Sequence, residues 1–365
     1  MAPLRSTSVT DIIVKAVSLV LIVALGWGAK RLGWLEARHF TLLSVIVLRI
    51  TLPCALITSF NTVTITRTLL WLIVFGFSVN IVQQVTAWLL TRHASPARRS
   101  LDILHGGSYN IGAFAMPYVS QFVGPVAMVQ TAMFDIGNSI SAGGIGYGWG
   151  LAVSRRGRTP TGSATTVVEP VETTTATDTS STVVEPVETT TLATDMISPG
   201  SAGKDAVSAR TRLLIPLRFV ASMLRSPVFD TYLILLALRL ADLTLPAPVI
   251  TFTSLVGAAN PFLAMFMLGV GLEFTMPRAK YRVAAVLLAR RYAFVAAFSL
   301  LAWFVLPFPA DIRLVCLMVL WAPVAVMVAG FTAEAGADVE VASFVSSCSI
   351  VVAIIMMPAV YLLAQ

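Results

Sequence analysis

The chain has 365 residues, of which 57% are hydrophobic and only 12% charged, with a formal net charge of +7. An ordinary soluble domain carries about 25% charged residues, so the composition excludes a soluble protein. The basic excess would suit nucleic acid, but it is confined to short connections between apolar stretches, and no nucleic-acid partner is expected.

A membrane-spanning helix needs about 20 mainly apolar residues. Ten such stretches follow one another: 11–29, 40–60, 69–90, 101–121, 124–150, 226–245, 249–272, 284–306, 312–331 and 339–363. In the first, the apolar run Ala16–Ala29 follows Arg5 and Lys15, as a secretory signal would. Lys30, Arg31 and Leu32 stand where a small-x-small cleavage site belongs, so it reads as a retained span. The second contains Arg49 four residues before Pro53. The third carries Asn80, Gln83 and Gln84, residue types that commonly bond one membrane helix to another.

The fourth stretch reads GGSYNIGAFAMPYVSQFVG and is apolar enough for a bilayer, yet Pro117 lies deep inside it. Proline removes a backbone hydrogen bond and clashes with the carbonyl four residues back. Freed backbone groups survive at bilayer depth only when buried in protein or lining a wet cavity. The ninth stretch repeats the anomaly at Pro323. Between the two halves, 151–225 is rich in Thr, Ser and Pro, and VVEPVETTT occurs at Val167–Thr175 and Val183–Thr191. Such a segment cannot bury enough surface to offset its ordering entropy, so it is expected to be disordered. It reads either as a dispensable linker or as a regulatory loop.

The connections after spans 1, 3 and 7 hold Lys30, Arg31, Arg38, Arg92, Arg98, Arg99, Arg278, Lys280 and Arg282. Those after spans 2, 4, 6 and 8 hold only Arg67 and Arg313. Basic short loops mark the cytoplasmic side. The reading is a multi-pass protein of the cell (inner) membrane, with both termini outside and 151–225 in the cytoplasm. The acidic turn Glu334, Asp338 and Glu340 then lies inside without basic residues of its own, against the trend.

The linker separates five spans, 1–150, from five more, 226–365. An odd number per half reverses the orientation of the second, which is an inverted-repeat plan. The second and fourth spans of each half carry prolines: Pro53 and Pro261, then Pro117 and Pro323. The expected fold is an all-α membrane protein of ten transmembrane helices in a 5+5 inverted repeat, with broken helices 4 and 9 crossing. A break near Gly112–Pro117 leaves a half-helix N-terminus within the membrane, whose free N–H groups and positive dipole end favour an anion. A break at Pro323 does the same.

Candidate substrate-binding residues are therefore Asn110, Gly112, Pro117 and Pro323, with Asn260 just before Pro261. Asp135, inside span 5, is expensive in a membrane and usually faces a cavity or a partner. It reads as a coupling residue or as half of a structural ion pair. Asn138 shares its helix face and either binds substrate or satisfies nearby backbone. Arg49 either grips a carboxylate or pairs with Asp135. Arg239 and Asp242, near a span end, read as structural. Cys54, Cys316 and Cys348 form no disulfide framework or ligand cluster. His39, His93 and His105 have no metal-ligand spacing, and no enzyme signature occurs, so neither metal, cofactor nor catalysis is expected.

Three stretches resemble the auxin efflux carrier family, the small bacterial carriers related to the plant auxin exporters. LRITLPCALITSF is similar to the family's second span. NIGAFAMPYVSQFVG is similar to its fourth, with Asn110, Gly112, Pro117, Phe122 and Gly124 on matching positions. WAPVAVMVAGFTAEAGADVEVASFVSSCSIVVAIIMMP is similar to its ninth and tenth, with Pro323, Gly336 and Asp338 matching. The resemblance covers nearly all of the chain outside 151–225. It implies a crossover of the fourth and ninth helices, secondary transport of a small organic anion, and often a homodimer. Ala115 stands where the family often has glycine, which bears on substrate fit. The distant bile-acid symporter group shares the plan, so sodium or proton coupling is an alternative to simple efflux of mono- or dicarboxylates. A third reading, from another class, is a non-transporting scaffold or sensor with 151–225 as its working part; transport that survives deletion of 160–205 separates the first from the third.

Overall fold

The computed structural model describes residues 8–156 and 227–364. The linker with its repeated VVEPVETTT falls almost wholly outside them. Among the described residues the chain is helical throughout, without a strand. The first half comprises α1 (Val9–Arg31), α2 (His39–Phe60), α3 (Arg67–Leu90), α4 (Pro96–Gly106), α5 (Met116–Val123), α6 (Pro125–Ser139) and α7 (Tyr147–Arg156). The second comprises α8 (Pro227–Leu240), α9 (Ala247–Gly257), α10 (Asn260–Gly271), α11 (Tyr281–Val305), α12 (Ala310–Leu320), α13 (Met327–Glu334) and α14 (Val339–Leu363).

Six helical stretches are long and apolar enough to cross a membrane: α1, α2, α3, α9 with α10, α11 preceded by a 3-10 turn, and α14. The sequence led to an expectation of ten. The fourth and ninth expected spans are each divided into two short helices, as their prolines foretold. The fifth runs on through a π turn, Ile140–Gly146, and α8 opens where the described residues resume.

The prolines explain where helices start. Pro53, Pro117 and Pro261 all sit in the first turn of an α-helical piece, the position where proline's missing N–H is best tolerated. A π turn precedes two of them, Val47–Thr51 before Pro53 and Ile111–Ala115 before Pro117. Its wider loop absorbs the residue whose hydrogen bond the ring would break. Pro358 lies inside α14 instead. It leaves the Ile354 carbonyl without its helical donor, and the Tyr118 hydroxyl supplies one at 2.8 Å.

Helices from the two halves interleave. α1 packs along α10, and α8 and α9 pack on the second part of α2. α3 packs along α6, while α11, α12 and α14 pack on one another. Gly124 (φ 99°) and Gly336 (φ 62°) turn the chain just after α5 and α13. Both hold a left-handed backbone that a side chain would strain. At the basic end, Lys280 contacts Asp338 at 2.8 Å and Glu340 at 2.6 Å, and the Tyr147 hydroxyl donates to Glu334. The acidic turn that ran against the charge pattern thus has its cation on the connection between α10 and α11. Arg239 donates to the Val63 and Leu243 carbonyls, the structural role expected of it.

Candidate functional site

The two divided segments meet. Between α4 and the π turn, Gly107–Asn110 leaves helical geometry; between α12 and α13, Trp321–Val326 does the same. The Asn110 N–H donates to the Pro323 carbonyl at 2.8 Å. The expected break at Gly112–Pro117 therefore lies several residues earlier, with Gly112 and Pro117 inside the second half-helix. Close packing sets this position. A Cβ at Gly107 would stand 2.5 Å from both the Asn80 carbonyl oxygen and the Gln84 side chain, so the backbone turns where only glycine fits.

Several freed backbone groups near the crossing have partners, as burial demands. Gln84 Nε2 donates to the Gly107 carbonyl at 3.1 Å. Asn138 pairs with Tyr109 like a strand neighbour: its Oδ1 accepts from the Tyr109 N–H at 3.2 Å and its Nδ2 donates to the Tyr109 carbonyl at 3.1 Å. The Ala115 N–H returns to the Asn110 carbonyl at 3.1 Å. On the other segment, the Val324 N–H donates to Ser349 Oγ at 2.9 Å. Asn138 and Ser349 serve equivalent purposes, each lying on the helix that follows its own broken segment.

Arg291 ties the first halves together. This side chain is only 4% exposed. One terminal nitrogen donates to the His105 carbonyl at 3.0 Å and the other to the Ala322 carbonyl at 3.1 Å. Those carbonyls lie at the C-terminal ends of α4 and α12, where helix dipoles leave partial negative charge. Its guanidinium also stacks on Tyr109, 4.4 Å from the ring centre. The sequence reading missed Arg291; the available signal was an arginine several residues into an apolar span.

Asp135 and Asn138 share a helix face, as their spacing predicts, and that face meets the break, but the partners of Asp135 differ from the expected ion pair. Asp135 accepts from the Tyr232 hydroxyl at 2.9 Å and from Asn138 Nδ2 at 2.8 Å. It forms no ion pair with any described residue, so the pairing with Arg49 is replaced by two neutral donors. Arg49 is exposed, in the π turn Val47–Thr51, whereas Asp135 is buried. Asn138 uses both amide atoms on the backbone and Asp135, the second of its two expected roles. Gly112 opens toward this cluster: a Cβ there would stand 3.6 Å from the Tyr232 hydroxyl and 3.7 Å from Asp135 Oδ2.

Of the candidate site residues, two have an amide nitrogen without a partner, and other buried amides, Gln83 among them, also have unpartnered atoms. Asn110 is 6% exposed and Asn260 fully buried, and neither Nδ2 has a partner. Asn260 Oδ1 accepts from Thr51 Oγ1 at 3.0 Å. Thr51 adjoins Leu52, itself a neighbour of Gly112, and α10 packs on the Ile111–Ala115 turn. The arrangement thus brings Asn110, Gly112, Pro117, Pro323, Asn138, Asp135 and Asn260 into one buried region, with Tyr232, Thr51, Ser349 and Arg291 added.

Six apolar helical stretches of spanning length, with two further segments divided at a buried crossing, define a multi-pass membrane protein. A family model described as membrane transport protein matches residues 11–361. The chain belongs to that family, the auxin efflux carriers. No curated protein matches it.

Proposed function

We propose that the chain is a carrier of small organic anions, mono- or dicarboxylates and auxin-like acids, moving them out of the cell. In this reading its helices form ten spans in two inverted five-span halves, with the substrate at the crossing of the fourth and ninth. The observation that carries it is the contact of Asn110 with Pro323, beside buried amides that lack partners. A buried donor without an acceptor costs about 1–3 kcal/mol, and a carboxylate oxygen supplies that acceptor. The positive ends of the half-helices starting at Ile111 and Met327 favour the same charge.

Arg291 bears on coupling. The carbonyl ends that a mobile cation would seek already hold a fixed guanidinium, which favours a uniporter or proton-linked carrier over a sodium-driven importer. Asp135 is the proton candidate. Two carboxylates side by side oppose each other's ionisation, so a bound organic anion beside Gly112 and an ionised Asp135 compete, and a proton on Asp135 relieves the conflict.

Proteoliposomes containing the full chain, offered labelled malate, malonate and indole-acetate, test the class of substrate. Saturable flux of at least one carboxylate is expected. Absence of saturable flux for all three, from protein shown to be folded, contradicts the reading.

A further inference from the structure

The basic end of the molecule holds a feature that anion transport does not use. Between the C-terminal end of α3 and the start of α11 lies a groove of about 580 Å³, with Arg98, Arg282 and Arg290 at its rim and Leu90, Val283 and Val286 on its walls. It shares Leu90 and Arg290 with an inner cavity of about 260 Å³, whose exposed wall is mostly apolar (Ala87, Leu287, Phe294) although Gln83, His105 and Arg291 also border it. The mouth opens where Leu89, Leu90 and Val286 are exposed, at 50%, 58% and 38%. In a spanning protein such side chains meet lipid, not water.

The charges at the rim do not cancel. Asp102 takes Arg290 at 2.7 Å and also Arg98, and Arg98 reaches the Val283 carbonyl at 3.5 Å. Arg282 is exposed and makes no ion pair with any described residue. Three arginines against one carboxylate leave two positive charges uncompensated, at the level where a helix leaves the apolar layer.

We infer that this groove binds an anionic phospholipid, its phosphate against Arg282 and the Arg98–Arg290 pair and one acyl chain in the inner cavity. A basic pocket between spanning helices at the membrane surface is the arrangement that holds anionic headgroups. The apolar continuation selects a lipid over a soluble phosphate, because it offers a hydrocarbon chain surface to bury. The inner cavity reaches Arg291 and Val324, so the chain packs directly behind the crossing. The inference requires only that these helices span a bilayer; it does not require the crossing to bind an anion.

The test is native mass spectrometry of the detergent-purified full chain, titrated with phosphatidylglycerol and phosphatidylcholine. Phosphatidylglycerol is expected to be retained in preference. Arg282→Gln, at an exposed position, lowers its affinity about fivefold, the effect of one basic residue at an anionic surface. Leu90→Trp, which fills the groove, lowers retention of phosphatidylglycerol without altering the rim. Excess inorganic phosphate does not displace the lipid. Equal retention of the two lipids, retention unchanged in both variants, or displacement by phosphate would each overturn the inference. None of these readouts depends on transport, so a carrier that fails the flux assay can still pass this one.

Discussion

Arg291→Met is expected to abolish transport and to lower stability by several kcal/mol. Methionine preserves much of the apolar stem, so packing is largely kept. What disappears is the double donor to the His105 and Ala322 carbonyls and the stacking on Tyr109. Each buried carbonyl left without a donor costs about 1–3 kcal/mol, and the two belong to different halves of the molecule. Without the guanidinium the ends of α4 and α12 lose the donor they share, and the Asn110–Pro323 backbone bond is left to join the two segments. Arg291→Lys is expected to recover little, because an ammonium lacks the planar fork that reaches both acceptors at once. Melting temperature and flux measured together check this. A variant close to wild type in both would show that the crossing is held by other contacts.

Asp135→Asn is expected to remove the pH dependence of flux while leaving the protein folded. On the proposed function, substrate anion and ionised Asp135 oppose each other near Gly112, so transport is expected to fall as pH rises through the range in which the carboxylate loses its proton. An asparagine is neutral throughout and can still accept from Tyr232 through its carbonyl oxygen. Tyr232 is the other titratable group in contact with Asp135. Asp311, on α12, is engaged with Gln130 at 3.4 Å and is unchanged by the substitution. Flux across a pH series, wild type against Asp135→Asn, reads the effect. An unaltered pH profile would remove Asp135 from coupling and leave it a structural acceptor. Tyr232→Phe serves as a control: it deletes one donor but keeps the carboxylate, so the pH dependence persists.

The parts of this architecture that were legible in the sequence are those with local causes. A proline within an apolar span states its own conflict with a helix, so Pro117 and Pro323 identified both divided segments. The place of the first break was less legible. It is set by Gly107 against Asn80 and Gln84 of α3, a packing contact between successive helices that hydropathy does not show. Arg291 was illegible because its acceptor His105 lies 186 residues away. Asp135 offered two kinds of partner, charged or neutral. Tyr232, 97 residues away, is an aromatic in an apolar helix, indistinguishable by composition from a packing residue. Asn138 could be narrowed to two roles from its spacing to Asp135, but only the extended Tyr109 backbone decides between them.

The central claim is that the amide of Asn110 faces a substrate carboxylate. Asn110→Ala deletes that amide and leaves the backbone contact to Pro323 intact. Its Nδ2 has no protein partner, so the substitution should cost no stability, and a hydrogen bond to a charged group is worth about 1.5–3 kcal/mol. The decisive measurement is the dissociation constant of a transported carboxylate for wild type and Asn110→Ala, taken with the melting temperature of each. A loss of affinity of about tenfold or more at unchanged melting temperature is the predicted result. Unchanged affinity, or a loss matched by a fall in stability, would contradict it.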